Sequence, residues 1–467
     1  MTPGDSSTGG LVTPALSGGS DPQQLRELAR HPLEYGLAGP LRQCLPEAGP
    51  LPELELVRTK YKPGRALTAW YRTDHRTAGR WLAVTWTAGS SATAGRDLEA
   101  SAVETLEGEA SSRHLLAPFT RLAADDGTSV SVLVSPADPK MTQLVRLQDP
   151  AYLADLFHAL ASPPIRLRRV TRISTVRYRP GQRHVLRADL CDGSFGSTAF
   201  IKIDRDDSGA RAVRFARLMG PRLAAACPGA SLCTPLGYAA PDRASIWAGS
   251  PGRLLSRALA TDAQAPRLVG LLGRALRFLH DSGEAAALPG GSEGGQSFAA
   301  GVSAQAEAAS TLRACEHIIA MVPGAKARLA AVSREVLDQL SQLSEEEPRV
   351  THGDAKCDNV VTDGQSICLL DLDRVGWGDP ATDLGKLLAD LRWWSIWTGR
   401  DVKPLAASLV AGYGSCDPAR WSRARLLEVL FQLKLTARRT PLHEPGWTSR
   451  VHRGIAAAAE LSAEARQ

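Results

Sequence analysis

RVTHGDAKCDNVVTDGQSICLLDLDRVGWGDPATDLG, from Arg349 to Gly385, is the stretch that decides the reading. It sets His-Gly-Asp (352–354), Asp-Asn (358–359) and Asp-Leu-Asp (371–373) between runs with strand character, NVV and ICLLDL. A solvated acidic loop has no need to alternate with such segments. Oxygen-bearing side chains returned again and again to the ends of short strands suit a bound cation, because hard cations prefer oxygen ligands.

Phosphoryl transfer asks for this set. It needs Mg²⁺ to neutralise a triphosphate and a carboxylate to orient the acceptor hydroxyl and take its proton. Asp354 and Asn359, five residues apart, supply a base and an amide oxygen from one short loop. Asp371, at the end of ICLLDLD, brings a charged ligand from a separate element. Groups fixed in line beforehand work by positioning rather than by covalent chemistry.

HGDAKCDN followed by LLDLDRVGWGDPATDLG resembles the aminoglycoside phosphotransferase and choline kinase family, which shares the protein-kinase-like fold. The family pattern runs H-G-D-x-x-x-x-N, then a hydrophobic run ending in I-D-x-[DE], then G-D-P-x-x-D-[LIF]; its elements occur here in order and at ordinary spacing. The resemblance implies ATP and Mg²⁺ as cofactors, Asp354 as catalytic base, Asn359 and Asp371 as metal ligands, and Asp373 as a second acid beside them. It places Lys356 near the γ-phosphate and gives His352 and Asp383 the task of fixing the loops. Lys202, in TAFIKID, takes the place of the small-lobe lysine that grips the α- and β-phosphates. The turn at Pro180-Gly181 would cover the nucleotide, so Gly181 and Arg183 join Lys202 as expected nucleotide-binding residues. One departure is plain: SGARAVRFARLMGPRL, after Lys202, holds no glutamate to pair with it. Asp204, Asp206 and Asp207 are the nearest substitutes.

The strand region reads as a duplication. YKPGRALTAW at Tyr61 resembles YRPGQRHVLR at Tyr178, 117 residues later. The same offset aligns Gly79 with Gly196, LAV at 82–84 with AFI at 199–201, and Pro118 with Pro235; VSPADP (134–139) meets GSPG (249–252) after a two-residue slip. Lys202 falls on Thr85, so the first copy lacks the cation. The expected strands of the second copy are TRISTVRY, HVLRADL and STAFIKI, with turns at RPGQ and DGSFG. Helices are expected at 265–280, at 325–343 and over most of the chain after Leu384, with a Gly/Ser-rich loop at 281–296.

The expected fold class is α+β: a protein-kinase-like bilobal fold, with a small antiparallel-sheet lobe and a mostly helical lobe, preceded by an additional small-lobe-like α/β unit. Residues 1–24 are expected to be a disordered tail, since they lack the basic start and apolar stretch of a signal peptide. Residues 25–162 form a degenerate small-lobe-like unit without the nucleotide lysine, available as a docking surface for a protein partner. Residues 163–252 form the kinase small lobe and 253–467 the helical lobe.

Composition narrows the class. Of 467 residues, 43% are hydrophobic and 22% charged, enough to bury a large core. The net charge of +6 is spread along the chain, without the concentrated basic patch that nucleic acid demands. Eight cysteines include no C-x-x-C pair, which fits reduced thiols and a cytoplasmic protein. No window approaches the ~20 apolar residues of a membrane span. In LRWWSIWTGR, Trp393 and Trp397 lie one helical turn apart with Trp394 beside them, which reads as core, stacking on a sugar or aromatic acceptor being the alternative. The carboxylates after Leu387 are offset by arginines such as Arg438, Arg439 and Arg450, which points away from a polycationic aminoglycoside and toward a neutral or anionic acceptor.

The function expected is ATP- and Mg²⁺-dependent transfer of the γ-phosphate to a hydroxyl of a small molecule, such as a sugar, an antibiotic or a related metabolite. A second reading applies the same chemistry to Ser or Thr of a ribosomal precursor peptide, as the resemblance permits through lanthipeptide and thioamitide maturation. A third is a non-catalytic pseudokinase scaffold, which the missing helix glutamate favours and the intact Asp354, Asn359 and Asp371 set opposes.

Overall fold

The computed structural model describes residues 16, 21–47, 49–74, 79–88, 100–127, 129–160, 169–191, 198–283, 304–344 and 346–465. The expected tail at 1–24 (apart from Leu16 and residues 21–24), the turn at DGSFG with Gly196, and most of the loop at 281–296 lie outside the described residues. The chain divides into two compact units. The first comprises Met1–Asp206, Ala239–Ile246 and Pro441–Trp447; the second comprises Asp207–Tyr238, Trp247–Thr440 and Thr448–Gln467.

The first unit is built on repeated antiparallel strands. β1 (Leu54–Lys62), β2 (Ala66–Thr73), β3 (Trp81–Thr87), β4 (Ala123–Asp125) and β5 (Val130–Val134) form a sheet of order β1-β2-β3-β5-β4. Helices α1 (Pro22–Arg30), α2 (Ala100–Ser112) and α3 (Pro150–Leu160) accompany them. A second meander follows: β6 (Arg169–Arg179), β7 (Arg183–Cys191) and β8 (Thr198–Asp204), extended beyond β8 by Ala244–Ile246 of β11 (Ala244–Ala248), which β10 (Pro235–Ala239) precedes in sequence. Burial alternates along β7 and along β8 as far as Ile203, which is the two-residue period of a strand with one face in the core.

The two meanders share their pairings at the 117-residue offset. Tyr61 pairs with Leu67 across β1 and β2, and Tyr178 with His184 across β6 and β7. Thr68 pairs with Thr85, and Val185 with Lys202, so Thr85 occupies the position of Lys202 in the earlier sheet. Thr85 Oγ1 there lies 3.2 Å from Thr68 Oγ1. The two hairpin turns carry their glycines in the same left-handed conformation, Gly64 at φ +66° and Gly181 at φ +68°. Only glycine adopts that region without steric cost, which explains why both turns kept it.

The second unit is mainly helical: α4 (Ser208–Ala226), α5 (Ala265–Asp281), α6 (Ala304–Met321), α7 (Lys326–Gln342), α8 (Pro380–Thr398), α9 (Lys403–Tyr413) and α10 (Pro418–Arg439). Two short sheets interrupt it. One has the order β12-β14-β15-β9, from Arg253–Leu254, Val360–Thr362, Ile367–Leu369 and Ala230–Leu232; the other pairs β13 (Arg349–Thr351) with β16 (Gly376–Gly378). α8 and α10 start alike, with an Asp whose side chain accepts the N–H two residues on (Asp379 from Ala381, Asp417 from Ala419) and a Pro in the first turn. α8 crosses α10 where Gly385 has no side chain; a Cβ there would sit 2.7 Å from the Ala424 carbonyl oxygen. Close helix approach in this core therefore depends on glycine. No described helix is long and apolar enough to cross a membrane.

Candidate active site

The loop that follows β13 is held by one carboxylate. Asp383, in the first turn of α8, accepts the His352 N–H at 2.6 Å on Oδ2 and the Gly353 N–H at 2.9 Å on Oδ1. His280 of α5 brings Nε2 to 3.2 Å from Oδ2, and its Nδ1 lies 2.7 Å from the Tyr413 hydroxyl. Burial alone would raise the Asp383 carboxyl, yet hydrogen bonding to His280 and the nearby His352 hold it below the usual carboxylate range. His352 Nε2 lies 3.0 Å from the Leu370 carbonyl, which joins the loop to the end of β15. His352 and Asp383 thus do what was expected of them: they fix loops.

Gly353 stands at φ +73°, and a Cβ on it would meet the Arg374 carbonyl oxygen at 2.3 Å. The middle residue of His-Gly-Asp is dictated by backbone approach.

Asp354 emerges beside it, 16% exposed in its side chain, between two ammonium groups. Lys356 Nζ lies 2.5 Å from Oδ2, and Lys386 Nζ 2.5 Å from Oδ1. Asn359 Nδ2 donates to the Asp354 carbonyl and to Oδ2, each at 3.0 Å. Burial would raise the carboxyl, but Lys386 and then Lys356 hold it far below the carboxylate range. It is a fixed anion, with its lone pairs organised and its proton gone.

Asn359 ends the short turn Cys357–Asn359, and its carbonyl accepts the Leu370 N–H at 2.8 Å. This bond ties the Asn loop to the segment that carries Asp371 and Asp373. Asp371 adopts φ +61°, ψ +55°, a left-handed conformation that non-glycine residues keep only where the surrounding structure enforces it. Asp373 is buried. Because the Asn359 amide nitrogen is committed to Asp354, its oxygen is turned elsewhere. Among the described residues no group of three or more His, Cys, Asp or Glu gathers as a protein-only metal cage. An amide oxygen with one or two aspartates fits Mg²⁺, which keeps several waters and takes the remaining ligands from substrate phosphates.

Two residues of the neighbourhood escaped the sequence reading. Lys386 is one; Asp390, which accepts the Cys357 N–H at 2.6 Å and is also engaged by Arg439, is the other. Both lie on α8 in register with Asp383, at the three- and four-residue steps of one helix face. Charged residues recurring at that spacing inside the apolar run DLGKLLAD were the available signal. Asp379, by contrast, belongs to the motif for structural reasons: besides capping α8 it pairs with Arg423 Nε at 2.8 Å. Trp393 is buried in the core, and Trp397, 5.2 Å from it between ring centroids, is covered by Arg450.

The expected nucleotide residues lie in the first unit. Lys202 is on β8 opposite Val185. The Gly181 N–H donates to Asp138 Oδ2 at 2.7 Å, and Arg183 Nε to Asp204 Oδ1 at 2.6 Å. Asp207, in the second unit, accepts the Tyr238 hydroxyl at 2.6 Å. Asp204 and Asp207, both offered in place of the missing helix glutamate, thus bond to Arg183 and Tyr238. All eight cysteines are free thiols.

Comparison with protein families matches residues 190–427 to the phosphotransferase enzyme family, APH. Comparison with curated proteins returns no match. Among solved structures, similarity extends to a choline/ethanolamine kinase family protein from Mesorhizobium loti, at 17% identity, covering 62% of this chain and 87% of that one with a TM-score of 0.41. Aminoglycoside phosphotransferase APH(3'')-Id from Streptomyces rimosus is 19% identical, covers 56% and 92%, and gives a TM-score of 0.36. The amicoumacin kinase hAmiN is 15% identical, covers 61% and 88%, and gives 0.41.

Proposed function

The chain belongs to the phosphotransferase enzyme family, and on that premise we propose that it moves the terminal phosphoryl group of ATP, with Mg²⁺, to a hydroxyl of a small molecule. The observation that carries this reading is Asp354: a carboxylate kept ionised by Lys356 and Lys386, steadied by Asn359, on a loop that Asp383 holds at both of its first amides. Such a group can accept a hydroxyl proton without first losing one of its own.

In the reaction so proposed, the acceptor oxygen bonds to the terminal phosphorus, the bond from that phosphorus to the ADP oxygen breaks, and the hydroxyl proton passes to Asp354. Lys356 neutralises charge on the transferred group. Asn359 and Asp371, with Asp373, would hold Mg²⁺, which supplies charge neutralisation along the phosphates. Lys202 would grip the α- and β-phosphates, with Gly181 and Arg183 at the turn over the nucleotide. Thr85, in the equivalent register of the earlier sheet, offers no such charge, so residues 25–162 are a small-lobe-like unit without nucleotide chemistry.

The test is hydrolysis of Mg·ATP by the full chain and its Asp354→Ala and Asp371→Ala variants, with nucleotide-induced thermal shift alongside. The reading expects slow turnover by the parent chain, no turnover by either variant, and a nucleotide shift that survives Asp354→Ala but weakens in Asp371→Ala. Turnover indifferent to both substitutions would refute it.

A further inference from the structure

Around Asp354 the described residues of the second unit gather several cations: Lys356, Lys386, Lys434, Arg438 and Arg374. Lys386 of α8 and Lys434 of α10 both point their ammonium groups at the Phe431 ring, each 5.6 Å from its centroid. Lys386 also touches Asp354. One turn beyond Lys434, Arg438 donates to Ser310 of α6 at 3.2 Å, and Arg374, just after the metal-ligand segment, lies 3.8 Å from Glu307 of α6. Glu307, buried, is also the partner of Lys434. One carboxylate therefore answers to both Lys434 and Arg374, while Arg438, among the described residues, hydrogen-bonds the Ser310 hydroxyl.

Lys434 is buried, whereas Arg374 and Arg438 keep contact with solvent, and a buried charge is costly unless an opposite charge accompanies it. Here the cost shows. Burial, opposed by Glu307 and reinforced by Arg438 and Lys386, brings the Lys434 ammonium down to about 8. Burial likewise lowers the Arg438 guanidinium, with Glu307 opposing and Arg374 adding to the effect. The Phe431 ring gives the cluster an apolar floor and Ser310 a hydroxyl. A polycation brought to Asp354 would meet Lys386, Lys434, Arg438 and Arg374; an anion would relieve them.

We propose that the acceptor of this phosphotransferase is anionic: a hydroxyl-bearing small molecule whose phosphate or carboxylate is held by Lys434, Arg438 and Arg374, presenting its hydroxyl to Asp354 beside Lys386. The inference rests on the phosphotransfer reading for its use of Asp354, but the anion site it names is independent of turnover.

The experiment is equilibrium binding by calorimetry to the full chain saturated with Mg²⁺ and a non-hydrolysable ATP analogue, at fixed low ionic strength. The probes are inorganic phosphate, acetate and kanamycin. Phosphate and acetate are the two anion sources; the one bound more tightly identifies the group carried by the acceptor. Expected are anion binding, at least tenfold weakening in Lys434→Gln and in Arg438→Gln, retention in Lys434→Arg, and no binding of kanamycin. Thermal melts check that each variant folds; if Lys434→Gln does not, the Arg438→Gln and Lys434→Arg pair decides. Kanamycin binding without anion binding, or anion binding unmoved by these substitutions, would overturn the proposal. Loss of Asp354-dependent ATP hydrolysis with anion binding intact would instead strike the phosphotransfer reading alone.

Discussion

Lys386 and Asp354 meet at 2.5 Å although they come from separate elements, the first from the second turn of α8 and the second from the loop after β13. Each is largely buried, at 13% and 16% exposure, so the pair is shielded from the solvent screening that makes surface ion pairs nearly worthless. Removing one partner leaves the other charge short of compensation. Lys386→Met is expected to lower stability by about 1–3 kcal/mol, since Lys356 still serves the carboxylate. A double-mutant cycle with Asp354→Asn, read from urea unfolding, should return a coupling of about 1–3 kcal/mol. A coupling near zero would mean that Lys356 alone holds the base.

Asp354→Ala should reduce acceptor phosphorylation by roughly 10²–10⁴, the range that one positioned base contributes. KM for ATP should change little, because the proposed role of the group is toward the acceptor. The measurement is steady-state kinetics with an identified acceptor. A large rise in KM for ATP with kcat preserved would place Asp354 in nucleotide binding instead.

Asp138, from the first copy, reaches the turn of the second. It accepts the N–H of Gly181 at 2.7 Å and lies 2.7 Å from His184 Nε2, with Asp138 and His184 both fully buried. Asp138→Ala would orphan both groups, at about 1–3 kcal/mol each. The milder Asp138→Asn keeps the shape but has one accepting oxygen, so it cannot serve both Gly181 and His184 on Oδ2 and the Lys140 N–H on Oδ1 (2.9 Å); it should raise KM for ATP more than it lowers kcat if the Gly181 turn covers the nucleotide. Unaltered KM in a folded Asp138→Asn protein would detach the first copy from nucleotide binding.

Lys434 gives a pH dependence of definite sign. Its ammonium sits at about 8, below the ordinary lysine value, and faces Glu307 from α6, Arg438 on its own helix and Lys386 from α8. A lysine depressed on folding costs stability while charged, so this cost is relieved as pH rises from about 8 toward the unfolded value. An anion bound there needs the charge. Phosphate affinity should therefore fall as pH climbs through about 8, and the fall should flatten in Lys434→Arg, whose guanidinium stays protonated. Calorimetry across pH 7–9.5 reads both curves.

Gly353→Ala tests the backbone of the motif. The new Cβ would confront the Arg374 carbonyl oxygen at 2.3 Å while the residue is held at φ +73°. Two penalties, steric and conformational, predict a loss of roughly 2–4 kcal/mol and of turnover. Thermal unfolding is the readout, and a neutral effect would show that the loop can move away from Arg374.

The sequence by itself determined what is local or periodic. The strands of the doubled meander, the paired Pro-Gly turns, the helices at Ala265–Asp281 and Lys326–Gln342, and the order of Asp354, Asn359 and Asp371 all follow from two- and three-to-four-residue patterns and from glycine's freedom. Only the tertiary structure decided which distant groups share a contact. That Lys386 would face Asp354, that Glu307 would be divided between Lys434 and Arg374, and that Asp138 would hold the Gly181 turn depend on how helices and sheets pack. Packing brings together residues far apart in the chain, and no local spacing encodes which buried charge another must answer.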